Sequence, residues 1–97
     1  MESSRIEPYH GWINKPTWLL YSWLSNDYDS YFEVQAMVKD AIRHSENPIE
    51  TLAEGLKEST LSNVPEQAGL IPDLLQWAIA YIDFHDVAKA FVIEEEG

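Results

Sequence analysis

Apolar residues along this chain recur at helical spacing and almost never alternate. Residues 1–13 (MESSRIEPYHGWI) mix Pro8, Gly11 and polar residues without a period, which predicts an irregular arm pinned by Tyr9 and Trp12. Asn14 then supplies a helix cap, and Pro16 is tolerated in the first turn. From Thr17 to Leu24 the run Trp18, Leu19, Leu20, Tyr21, Trp23 and Leu24 is too apolar for a surface helix. The pattern predicts a first helix buried on most sides. Asn26-Asp27 ends it, with Asp29 or Ser30 capping the next.

A second helix is predicted over Tyr31–His44, its inner face marked by Tyr31, Val34, Val38 and Ile42, joined by Met37 and Ala41. Asn47-Pro48-Ile49-Glu50 is a start signal: a cap, a proline at the first position and a capping-box glutamate. Ile49, Leu52, Ala53 and Leu56 face inward on that third helix, and Ser59–Gly69 carries the Ser, Asn, Pro and Gly signals of a loop. Pro72 opens a fourth helix containing Leu74, Leu75, Trp77, Ala78, Ile79, Tyr81 and Ile82. Asp83 caps a fifth, with Asp86 three residues on and Val87, Ala88, Phe91 and Val92 inside. Residues 94–97 (EEEG) predict a frayed acidic tail, because negative charge at a helix C-terminus opposes the macrodipole. The expected fold is all-α: a compact bundle of four to five short helices in one acidic domain spanning 1–97.

Composition supports one such domain. Of 97 residues, 45% are hydrophobic and 12% aromatic, enough to build a core without disulfides. Cysteine is absent, which removes thiolate chemistry and Cys-type zinc sites. With no signal-like start and no long apolar run, the expectation is a soluble protein of the host-cell cytoplasm that does not enter membranes.

Charge changes the picture more. The formal net charge is -11, and it is unevenly spread: residues 1–43 carry six acids against four bases, residues 44–97 eleven against two. Such an excess repels nucleic acid and anionic membranes and steers toward basic proteins. Within the acidic half, Glu46, Glu50, Glu54 and Glu58 recur every fourth residue. On a helix that spacing stacks carboxylates along one face with roughly 6 Å of rise between neighbours. Like charges so placed cost an isolated helix about 0.2–0.5 kcal/mol per pair. The ladder works against folding, which points to a role outside folding. The phosphates of one DNA strand repeat at a comparable spacing. Glu46 precedes the helix cap and is the least regular member; Glu66 lies in the following loop.

Catalytic chemistry finds little to work with. His10, His44 and His85 stand alone in sequence, in no metal-ligand spacing. Asp83-Phe84-His85-Asp86 flanks a histidine with carboxylates, a pattern more common as an Asp-rich helix start. Ser25–Asp29 lacks the glycine and terminal glutamate of a calcium loop. No nucleophile elbow, P-loop or dinucleotide fingerprint occurs. No enzyme activity, cofactor or metal is expected. The aromatic stripe of the first helix is expected inside, whereas Trp12, Tyr28 and Tyr31, nearer element ends, are the aromatic candidates for partner binding.

The run Asn14-x-x-Thr17-Trp18-x(4)-Trp23-Leu24-x-Asn26-Asp27 resembles the opening motif of a family of small uncharacterised proteins from phages and prokaryotes. There it commonly reads N-x-E-T-W followed by W-L-x-N-D. Asp73-Leu74-Leu75, Ala78, Ile82-Asp83-Phe84 and Asp86-Val87-Ala88 are similar to its closing helix-turn-helix signature. The two stretches, over 14–27 and 73–88, cover about a third of the chain. Lys15-Pro16 departs from the usual residues before the threonine, and the glutamate ladder lies outside the motif. The resemblance implies a fold and a phage-like origin rather than an activity.

These readings converge on a non-enzymatic anti-defence inhibitor, of the anti-CRISPR or anti-restriction kind. Its partner is expected to be a host protein with a basic nucleic-acid-binding surface, met by Glu46, Glu50, Glu54, Glu58 and Glu66 in mimicry of nucleic acid, with Trp12 and Tyr28 as anchors. The alternative is an adaptor or host-takeover protein that binds through aromatics, with acidity serving solubility alone. Direct contact with nucleic acid is not expected, and a two-fold homodimer would double the acidic surface.

Overall fold

A computed structural model describes residues 10–96 of the chain; Tyr9 and the rest of the arm before His10 lie outside the described residues. Asn14 caps α1 (Lys15–Asn26), accepting from the Thr17 backbone N–H at 2.9 Å and the Thr17 hydroxyl at 2.7 Å. Asp27 closes that helix and opens α2 (Tyr28–His44): its own N–H reaches Trp23 O, while its carboxylate accepts from Ser30 N and Ser30 Oγ. Those bonds from Ser30 also hold the Asp27 carboxyl below its ordinary pKa. Because Asp27 serves as the cap in place of Asp29 or Ser30, α2 begins three residues before the expected Tyr31.

α3 (Pro48–Ser62) starts at the predicted proline without the predicted capping box. The Asn47 N–H donates to Ser45 Oγ at 3.0 Å, leaving nothing there for Glu50 to cap. The helix also runs through Ser62 rather than ending before Ser59. Thr60 and Ser62 turn their hydroxyls back onto the carbonyls of Leu56 and Ser59 instead of breaking the helix. The connecting loop shrinks to 63–69. Gly69, at φ 155°, makes the turn into α4 (Leu70–Ala80), which begins two residues before Pro72. Pro72 still falls in the first turn, where a missing N–H costs no intrahelical bond. Asp83 accepts from the Asp86 N–H at 3.0 Å and starts α5 (Phe84–Glu96), whose last turn contains Glu94, Glu95 and Glu96. The expected frayed tail is helical through Glu96.

Five helices and no strand among the described residues make an all-α bundle. Its core is Val34 and Val38 of α2, Leu52 and Leu56 of α3, and Phe84, Val87, Ala88, Phe91 and Val92 of α5. α5 is the central element. It packs most extensively on α3 and also meets α1 and α2. Val92 and Glu96 line a depression with Ile49 and Glu50 at the start of α3, and Phe84 lines another with Lys57 and Leu61 near its end. No helix among the described residues is long and apolar enough to cross a membrane.

Two sequence expectations about burial change. α1 is not buried on most sides: Thr17 is its one fully buried residue, and Leu19 and Trp23 are exposed. Tyr31 is exposed too, leaving Val34, Val38 and Ala41, with the half-buried Met37 and Ile42, as the inner face of α2. The fold reason is the same for both. A five-helix chain of this size gives each outer helix only one packed side, so apolar residues off that side stay in water.

Candidate functional site

α3 positions the acidic face. Leu52 and Leu56 point into the core, and Glu50, Glu54 and Glu58 project from the opposite side of the helix, all exposed. At 3.6 residues per turn the three drift only slightly around the helix, so they form a single ridge. Lys57 lies one position before Glu58 and is the one base of α3.

Glu46 sits in the turn before α3, and the fold extends the ridge at that end. Glu46 and Glu50, together with His85 and Glu96 from α5, line a shallow depression of about 380 Å³. Glu96 joins this group through the packing of α5 on α3, which no sequence spacing could show. Glu66 is exposed in the 63–69 loop beyond the other end of α3.

The aromatic candidates separate. Tyr28 is 74% exposed and stacks edge-on against Phe32 at 4.8 Å between centroids. Trp23 is 67% exposed near the end of the preceding helix. Trp12 instead belongs to the fold. It is half-buried against the core, with its ring 4.8 Å from that of Tyr21, which in turn lies 5.2 Å from Phe91. Trp23 is thus outside although the α1 stripe is expected inside, and Phe32 is marked in the sequence only by its i,i+4 spacing from Tyr28.

A second apolar surface was hidden by its own sequence. α4 is almost wholly apolar, yet none of its residues is buried, and Leu70, Ile71, Leu74, Leu75 and Trp77 are all exposed. It packs chiefly on α3, through the side bearing Gln76, Ile79 and Ala80. A nearly uncharged helix gives no polar stripe from which its outer side could be recognised.

For chemistry, the described residues hold no group of three or more His, Asp or Glu side chains able to bind a metal ion. His44 lies 3.7 Å from Asp40 on the exposed surface of α2 as an i,i+4 pair, and His85 is exposed on α5. What these surfaces offer is contact: one ridge of carboxylates and two sets of exposed apolar side chains. No protein-family model, curated protein or solved structure matches the chain.

Proposed function

We propose that this chain is a non-enzymatic inhibitor of the anti-defence type, which uses the acidic ridge of α3 to occupy a basic nucleic-acid-binding surface of a host protein. One observation carries the reading. Glu50, Glu54 and Glu58 stand exposed on the side of α3 opposite its buried leucines, so the ladder contributes nothing to the core and is free to meet a partner. Glu46 and Glu96 lengthen the ridge at one end. Long-range attraction speeds the encounter, and the exposed Tyr28 supplies apolar contact area once the partner is in place. Anti-CRISPR and anti-restriction factors belong to this class, and the resemblance to small phage proteins supplies the setting.

A second reading rests on Trp23, Tyr28 and Phe32, which expose aromatic surface near the α1–α2 junction. In it the chain is an adaptor that binds through these rings, and the ridge is merely solvated.

The test is a pull-down from host lysate, washed at low and then high salt, beside the E50Q/E54Q/E58Q variant. Under the inhibitor reading a nucleic-acid-handling protein is released by salt. The variant then associates more slowly by about an order of magnitude. A partner that survives high salt and ignores the variant, but is lost on Tyr28→Ala, moves the function to the adaptor.

A further inference from the structure

We propose that α4 is the seam of a two-fold homodimer, packing antiparallel on α4 of a second copy. Such a seam is independent of how the acidic ridge is used. Leu70, Leu74, Trp77 and Tyr81 follow the spacing i, i+4, i+7, i+11, which on a helix confines them to one narrow stripe. That stripe faces solvent: Leu70 is 72%, Leu74 52% and Trp77 55% exposed. Ile79, on the other side of the helix, packs against the core. The helix therefore has two apolar sides and uses only one of them within its own chain.

The spacing is its own mirror image. Reversing the helix about the midpoint between Leu75 and Gln76 places Leu70 on Tyr81 of the second copy and Leu74 on its Trp77, then repeats both pairs by symmetry. Each aromatic ring meets a leucine, never its own duplicate, which suits a large-against-small packed seam. Asp73 is the only charged residue between Leu70 and Ile82. In this register it faces Ala78, so no like charges oppose one another across the axis.

The area is also sufficient. With Ile71 included, the stripe exposes roughly 500–600 Å² of side chain per copy, at the upper end of what a monomer ordinarily leaves in water. Two copies together bury about 1,000–1,200 Å², the lower bound of a specific interface. The stripe itself carries no charge that would select a partner of other composition.

Charge gives the dimer a signature. Each copy carries a formal charge of -11, so association of two copies proceeds against repulsion and tightens as salt screens it. The acidic ridge on a basic partner responds in the opposite sense.

The experiment is sedimentation equilibrium of the full chain from low micromolar to near-millimolar concentration, at low and high salt. Leu74→Glu, Trp77→Lys and their equimolar mixture are run beside it, with helical circular dichroism confirming that each variant folds. The expected result is a dimer that tightens with salt. Either substitution weakens it on the order of 100-fold, because each acts twice across the axis. Mixing the two restores dimers, since the carboxylate introduced in one copy then faces the ammonium introduced in the other. A wild-type chain that stays monomeric throughout overturns the proposal and leaves α4 to a different protein. So does a dimer indifferent to both substitutions.

Discussion

The side-chain amide of Asn14 donates to the carbonyl of Tyr81 at 2.7 Å, across 67 residues of chain. The same asparagine caps α1, and its partner Thr17 accepts from the Asp83 N–H at 2.9 Å. Two buried polar residues thereby tie the start of the first helix to the link between α4 and α5. All the donors concerned are satisfied, so the network stabilises the fold while it is complete and is costly when broken.

Thr17→Val keeps the side-chain shape and removes the hydroxyl, leaving the Asp83 N–H without its acceptor and the Asn14 carboxamide oxygen with one donor fewer. The expected loss is about 1–3 kcal/mol of unfolding free energy, read from urea midpoints. Thr17→Ser retains the oxygen and loses far less. Equal losses for the two would remove the hydrogen-bond account.

Gly55 lies where α3 approaches α2, and a Cβ added there meets the Met37 terminal methyl at 2.8 Å. A methionine methyl at the end of a flexible side chain moves aside easily. Gly55→Ala is therefore expected to gain most of the helix propensity difference, up to about 1 kcal/mol, seen as a raised Tm. Gly55→Leu exceeds the space that Met37 can vacate and lowers the Tm.

Tyr21 donates its hydroxyl to Glu94 Oε2 at 2.5 Å, joining α1 to the last turn of α5. Burial, followed by this bond, pushes its pKa above the ordinary 10.0. With the folded pKa higher than the unfolded one, the folded state holds the proton more tightly. The contribution is complete below about pH 10 and is lost as pH rises through the folded value. In alkaline titrations of stability, Tyr21→Phe should flatten that part of the profile; an unchanged slope would assign it to other tyrosines.

Replacing Glu50, Glu54 and Glu58 with glutamine removes like-charge pairs from an exposed helix face. Stability is expected to stay level or rise by about 0.5 kcal/mol, even if partner binding is lost. Thermal melts at low salt measure this. A large drop would mean that the ladder supports the fold, contrary to its position opposite Leu52 and Leu56.

Helix number and type were legible because caps and apolar periods act locally. Asn14, Pro48 and Asp83 mark starts that the fold respects. The core positions Val34, Leu52, Phe91 and Val92 follow from 3.6-residue spacing, and the acidic face of α3 follows from the same arithmetic. Boundaries slipped where one side chain could do another's work, as when Asp27 capped ahead of Asp29 and Thr60 bonded back to Leu56. The chain order alone could not bring Glu96 beside Glu46 and Glu50, or Asn14 beneath Tyr81, because those meetings depend on how helices cross. Nor could it show that α1 and α4, rich in apolar residues, remain largely exposed. Hydrophobicity records a residue's preference for burial, and only the packed arrangement determines which preferences the available neighbours can satisfy.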